Sequence, residues 1–284
     1  MNEDALQQAG AETIHPGRVL ALGGTVPLDD RVSWVAPGAG GHAPITSYLV
    51  VDGDRAVLLD TGVPAVAGPL LRQLRALVAG GIRLSVLLTR QQEFDSVANL
   101  AAILRELPVE TVWLRGAAKH SDNLDSVFGV VPDGTLVDFR SIGVADPVPV
   151  GDRIELEILA PRLRLLSTNW AYESTTRTLF TSDSFGHVHL RRPDESRVAD
   201  DASEVTGGGA GVGSTYEDAR RHLFRKFDYL PHADTVPIRD QLDEVFETHD
   251  VEVIAPMHGK ALVGRAVVER HLGYVRKALA EAVR

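Results

Sequence analysis

The chain predicts a layered α/β protein of the four-layer αββα kind, and three observations carry that expectation. Through residue 116, β-rich runs alternate with helical periods. From about residue 134 to 183, short strands follow one another with little helix between them. The tail then returns to helices around one more strand. Strands, helices, strands, helices: the order suggests two similar halves whose sheets are sandwiched between helices.

Each element has a local reason. "RVLALGG" (18–24) and "RVSWVAP" (31–37) read as short strands. "ITSYLVVDGDRAVLLDTG" (45–62) holds two β-rich runs joined by the turn residues "DGDR", which makes a hairpin. "AVAGPLLRQLRALVAGG" (65–81) repeats apolar residues at helical spacing and stops at a Gly pair. "IRLSVLLT" (82–89) is a buried-strand run, and "SVANLAAILREL" (96–107) is an amphipathic helix capped by Asp95 or Ser96. "VETVWLRG" (109–116), "GTLVDF" (134–139), "RIELEILA" (153–160), "RLRLLST" (162–168) and "RTLFTSD" (177–183) follow as strands. The Gly-, Asp- and Ser-rich stretch 191–215 reads as a mobile surface loop or a lid. Helices over "YEDARRHLFRKF" and "IRDQLDEVFETH", the strand "VEVIAP" (251–256) and a helix from about Val263 complete the chain.

With 284 residues, 44% of them hydrophobic, the chain can bury one large core. We expect an N-terminal extension over 1–17 and a single domain over 18–284, with a flexible insertion near 191–215. A formal net charge of −10 argues against nucleic acid or an anionic membrane as partner. The absence of cysteine excludes disulfides, iron–sulfur clusters and thiolate zinc, so any metal would use nitrogen and oxygen ligands. The start, "MNEDALQQAGAETI", has neither the basic nor the apolar region of a signal peptide, and no apolar run is long enough to cross a bilayer. A cytoplasmic protein is expected.

Three segments carry the chemistry. "QQEFDSVAN" (91–99), "TSDSFG" (181–186) and "APMHGK" (255–260) each follow an apolar strand, with "LLDTG" (58–62) upstream. Taken singly they have plain readings. Glu93 and Asp95 are charges at a helix start, and His258 is a loop histidine bonded to backbone. Taken together, carboxylates that converge repel one another, so they need an ion, a shared proton or an arginine, and Arg90 is the nearest candidate.

These segments, in this order, resemble the metallo-β-lactamase fold. More narrowly they resemble the diiron domain of flavodiiron proteins and the stand-alone oxygen-binding diiron proteins. The family's first loop reads H-x-E-x-D-H-x-G-N; here Glu93 and Asp95 match, while Gln91 and Ser96 stand where two histidines belong. "STNWAYESTTRTLFTSDSFG" (167–186) matches the later loops, with Asn169 at a third histidine position and Asp183 as the bridging carboxylate. His258 matches the last histidine. The likeness runs from about residue 18 to 275.

By this resemblance the first metal position would offer Gln91, Glu93, Asn169 and Asp183, and the second Asp95, Ser96, Asp183 and His258. Amide and hydroxyl oxygens are poor replacements for imidazole at iron or zinc, so ordinary O2 or NO reduction is not expected. Glu93, Asp95, Asp183 and His258 remain as metal ligands. Asp95, Asp183 and His258 suit a single ion, Fe, Mn or Zn, and an oxygen-rich first position suits Mg or Mn better than Zn. The cofactor expectation is one metal ion or none, with no flavin. The partner is a small-molecule ligand or substrate, and the resemblance implies a homodimer.

Asp95 and His258 are the candidate catalytic pair. Three readings follow: a small-molecule enzyme with an altered mononuclear or metal-free site, a metal-dependent hydrolase, and a non-catalytic sensor or scaffold. His187 and His189, two apart in "FGHVHL", share a face and are outside candidates for replacement ligands, though such a pair on an exposed strand usually does nothing. His42 could reach a pocket mouth. Asp60 is expected to orient the loops through hydrogen bonds, and Trp170 and Phe185 to pack. No G-x-S-x-G is present, and "GGGAGVG" (207–213) lacks the Lys-Ser/Thr of a phosphate loop.

Overall fold

A computed structural model describes residues 3–29, 35, 38–115, 137–143, 146–206 and 214–282. They form two compact units. The first takes Met1–Gly24, Ile45–Leu159 and Leu166–Glu173, the second Thr25–Pro44, Ala160–Leu165 and Ser174–Arg284. Both are built from mixed-direction sheet and helix.

The first unit is organised by strands β1 (Glu12–His15), β2 (Val19–Pro27), β3 (His42–Asp52), β4 (Arg55–Leu59), β5 (Arg83–Leu87), β6 (Val109–Leu114) and β7 (Asp138–Ser141). Their spatial order is their chain order. β3 and β4 form the expected hairpin: Asp52 pairs with Arg55, and Gly53 turns the chain at φ +64°. From β4 to β7 the strands run parallel. Parallel strands buried on both faces need continuous apolar runs, and residues 56–59 of β4 are all buried.

The helix Ala67–Ala79 lays Leu70, Leu74 and Leu77 into the core with Leu22, Leu49, Leu58 and Val86. Its one buried amide is satisfied: Gln73 Oε1 accepts from the Gly23 N–H at 2.7 Å, and its Nε2 donates to the Gly23 carbonyl at 3.2 Å. An antiparallel ladder, β8 (Val148–Pro149), β9 (Glu155–Leu159) and β10 (Trp170–Glu173), also belongs to this unit.

In the second unit, β11 (Thr178–Ser182), β12 (Val198–Ala199), β13 (Val253–Pro256) and β14 (Ala261–Val263) lie in the order β12-β14-β13-β11. β11 and β13 are parallel. The helices Tyr216–Lys226, Val236–Thr248 and Arg265–Ala282 belong here. The last buries Val267, Val268, Leu272, Val275 and Leu279, and also His271.

Several local expectations are corrected. The helix expected over 96–107 is two, Phe94–Val97 and Leu100–Glu106. The chain breaks there because Asn99 Nδ2 donates to the Thr61 and Val63 carbonyls, at 2.7 and 2.9 Å. The cap of the first is Glu93, not Asp95 or Ser96, and it makes no side-chain cap bond. Residues 162–168 are irregular, not a strand. Within 191–215, the strand Val198–Ala199 and the helix Asp201–Thr206 are ordered elements; residues 207–213 lie outside the described residues, as does most of the strand expected at 31–37. The helix Glu3–Gln8 and strands β1 and β14 were not expected.

Candidate functional site

In each unit, parallel neighbours deliver their C-terminal loops to the same sheet edge, where α/β proteins place ligands. In the first unit β4 runs into Asp60 and β5 into the loop 88–97. In the second, β11 runs into Asp183 and β13 into His258.

The first cluster is centred on Arg90. Its side chain has no solvent exposure, and its Nη1 lies 2.9 Å from Asp95 Oδ2 and 3.2 Å from Glu93 Oε2. Its Nε is 3.8 Å from Asp60 Oδ2. One guanidinium therefore answers three carboxylates, as the sequence suggested an arginine would. Asp60 sits in the left-handed region at φ 59°, and the surrounding hydrogen bonds maintain that conformation. It accepts from the Thr89 N–H at 2.6 Å, from Thr89 Oγ1 at 2.5 Å and from Ser96 Oγ at 2.5 Å. Burial pushes the Asp60 carboxyl up, while Arg90, Ser96 and Thr89 pull it back down. Its work is to hold the two loops in register.

Asn169 and Thr168 join this cluster from the start of β10. The Asn169 N–H donates to the Thr89 carbonyl at 3.0 Å, and its Oδ1 accepts from Arg115 Nη1 at 3.3 Å. Thr168 Oγ1 is 3.5 Å from Glu93 Oε1. The unit thus brings Gln91, Glu93, Asp95, Ser96 and Asn169 to one edge.

At the three positions where the resembling family has imidazole, Ser96 is committed to Asp60, Asn169 to Arg115, and Gln91 offers only an amide. Glu93 and Asp95 already face an internal cation. Gln91 Oε1 and Asn169 Nδ2 are buried without hydrogen-bond partners, and neither is a strong donor to iron.

The second cluster surrounds Asp183. Two non-glycine residues with positive φ, Ser182 (56°) and Phe185 (66°), flank a tight turn that holds the carboxylate at the end of β11. Gly186 then passes against the next loop so closely that a Cβ there would lie 2.3 Å from the His258 carbonyl oxygen. Gly259 meets Gly186 in turn, at φ +91°. These two contacts explain the glycines after Phe185 and His258. They bring His258 Nε2 to 3.5 Å from Asp183 Oδ1.

Three residues that sequence reading did not single out complete this cluster: Lys226, His222 and His271. Lys226 Nζ lies 2.9 Å from Asp183 Oδ1, with the lysine side chain 10% and the aspartate 3% exposed. His222 is four residues earlier on the same helix and so shares its face. The available signal was that polar pair, four apart and in line with the buried Ala219 and Leu223.

His187 and His189 are buried, which corrects the expectation of an exposed strand. His187 Nε2 is 2.7 Å from His271 Nδ1, and the His189 and His222 rings are 5.9 Å apart. Burial, and after it the neighbouring basic groups, holds His187, His189, His222 and His271 below the ordinary imidazole value, against the opposing pull of Asp218 on His189 and of Asp183 on His222; His189 and His271 fall to about 4. They are neutral imidazoles at pH 7. The His42 backbone bridges to Leu190, and its Nδ1 is buried without a hydrogen-bond partner. Phe185 packs on Phe246, ring centroids 6.1 Å apart, and Trp170 is buried.

Two mixed sheets with their helices and strand-end loops define an α/β sandwich of the metallo-β-lactamase type. The particular fold is that of the flavodiiron core. Rubredoxin oxygen:oxidoreductase from the anaerobe Desulfovibrio gigas matches with a TM-score of 0.68 at 15% identity, over 95% of this chain and 61% of that one. A flavodiiron protein from Giardia intestinalis matches at 0.64 and 18% identity, over 94% and 59%. A fragment (1–254) of a putative diflavin flavoprotein from Nostoc matches at 0.66 and 16% identity, over 96% and 98%. This chain spans about three-fifths of the length of the first two. No family model matches the chain, and no curated protein matches it in sequence. At these identities the likeness establishes the fold. Among the described residues, no helix is long and apolar enough to cross a membrane.

Proposed function

We propose that this protein is an enzyme acting on a small molecule, built on the flavodiiron core fold, with an altered site that holds one metal ion or none in place of an iron pair. The single observation that carries this reading is the Arg90 guanidinium, buried against Glu93 and Asp95 where the family pattern would put iron. In the reading, Asp183 and His258 of the second cluster are the pair that works on the substrate, and a carboxylate oxygen and an imidazole nitrogen are the donors they offer to a single Fe, Mn or Zn ion.

Without an ion, the same residues support proton transfer. His258 Nε2 beside the Asp183 carboxylate forms an imidazole–carboxylate pair that can take a proton from a substrate and return it. A cytoplasmic homodimer is part of the same proposal, and size-exclusion chromatography with light scattering tests the dimer.

The decisive experiment is metal analysis of protein purified without chelator, after expression with iron, manganese and zinc supplied. One ion per chain, or none, is the expected result. Two well-occupied irons would overturn the proposal. Asp183→Ala should fold and lose the ion or the proton-transfer activity; an unchanged protein by both measures would remove Asp183 from the site.

A further inference from the structure

We infer that Lys226 is a built-in counter-cation that closes the Asp183–His258 pair to divalent metal ions, so that lysine and metal compete for one carboxylate. The inference rests on the reading above that no iron pair is held, and it assigns the metal-free state to a particular side chain. Asp183 Oδ1 has Lys226 Nζ at 2.9 Å and His258 Nε2 at 3.5 Å. A divalent ion bound to that oxygen would lie about 2.0–2.2 Å from it. The ion and the ammonium would then be close neighbours of like sign in a poorly solvated place, where repulsion is weakly screened. Both cannot stay.

The surroundings favour the lysine as things stand and an ion once it is gone. Lys226 is the last residue of an 11-residue helix, where a cation complements the helix dipole. On the same face, His222 is buried with neither ring nitrogen hydrogen-bonded, and His189 Nε2 is buried in the same condition. Buried imidazoles normally find partners, so these nitrogens are unused donors facing the Asp183 cluster. His222 feels the charges of Lys226, His258 and Asp183. The Asp183 carboxylate and the His258 imidazole are oxygen and nitrogen donors for Zn2+ or Mn2+, and the ammonium is the group that spoils the pair.

The test titrates Zn2+ and Mn2+, separately, into chelator-treated wild type and Lys226→Gln by calorimetry, with melting followed in parallel. Lys226→Gln should gain one saturable site per chain, at least about tenfold tighter than any site in wild type, as expected for removing one adjacent like charge. It should melt lower than wild type without metal and recover with it. His258→Ala in the Lys226→Gln background should abolish the gain, and Lys226→Arg should bind no better than wild type. If Lys226→Gln does not fold, Lys226→Met, an apolar side chain of similar length, carries the same expectation. Equal single-ion binding by wild type and Lys226→Gln would overturn the inference and leave the proposed function standing. Two irons in wild type would overturn both.

Discussion

Arg90 and Asp95 are joined at 2.9 Å by a guanidinium with no solvent exposure, and the same guanidinium bonds Glu93. Buried charges are tolerated when they are paired and costly when a partner is removed. Arg90 is therefore the residue on which the acidic loop depends.

Arg90→Met should leave Asp60, Glu93 and Asp95 without their cation and cost about 3–5 kcal/mol of stability. Urea denaturation of wild type and variant measures it. A loss below about 1 kcal/mol would mean that the carboxylates are satisfied by something other than Arg90.

Ser96→Ala removes a donor to the buried Asp60 carboxylate and should cost about 1–3 kcal/mol. The variant should still fold, because Thr89 keeps two hydrogen bonds to the same group. Equal stability of Ser96→Ala and wild type would contradict the assignment of Asp60 as the organiser of the two loops.

Gly186→Ala places a methyl group 2.3 Å from the His258 carbonyl oxygen, and backbone cannot move aside as a side chain would. We expect at least about 2 kcal/mol of destabilisation, at the upper end for overpacking. A thermal melt that matches wild type would show that the two loops do not touch at this point.

The buried histidines set an acid limit. His187 and His271 share a hydrogen bond, with His222 and His189 facing His187 and with Arg270 and Tyr274 beside His271. Burial lowers both, His271 to about 4 from an unfolded value near 6.5. Between those values the unfolded chain binds protons that the folded chain refuses. Stability is thus fully present above pH 6.5 and falls as pH drops towards 4, by up to about 1.4 kcal/mol per pH unit for each such group. Melting temperatures measured from pH 7.5 to 4.5 check this. His271→Gln, which does not titrate, should give a shallower decline, and parallel curves for the two proteins would exclude His271 from the effect.

Much of this molecule was readable before its structure. Period-two runs and turn residues located β3, β4 and their hairpin, and the apolar spacing of Leu70, Leu74 and Leu77 located their helix, because backbone hydrogen bonding repeats over a few residues. The loops carrying Glu93, Asp95, Asp183 and His258 were found in the same way, as polar breaks after apolar runs. Arg90 was also legible as a counter-charge, since its partners are three and five residues away. By contrast, the 162–168 segment has a strand's composition but is irregular, and helix 96–107 is divided by hydrogen bonds from Asn99 to a distant loop.

The sequence by itself determined the layered class, the order of its elements and the acidic and amide residues of its strand-end loops, all of which are written in neighbouring residues. Only the tertiary structure decided which cation answers which carboxylate and which histidines lose their water. Lys226 from a helix meets Asp183 at a strand end, and His187 meets His271, 84 residues further along the chain. Electrostatic pairing and desolvation depend on distance through space, which a linear pattern of residue types does not encode.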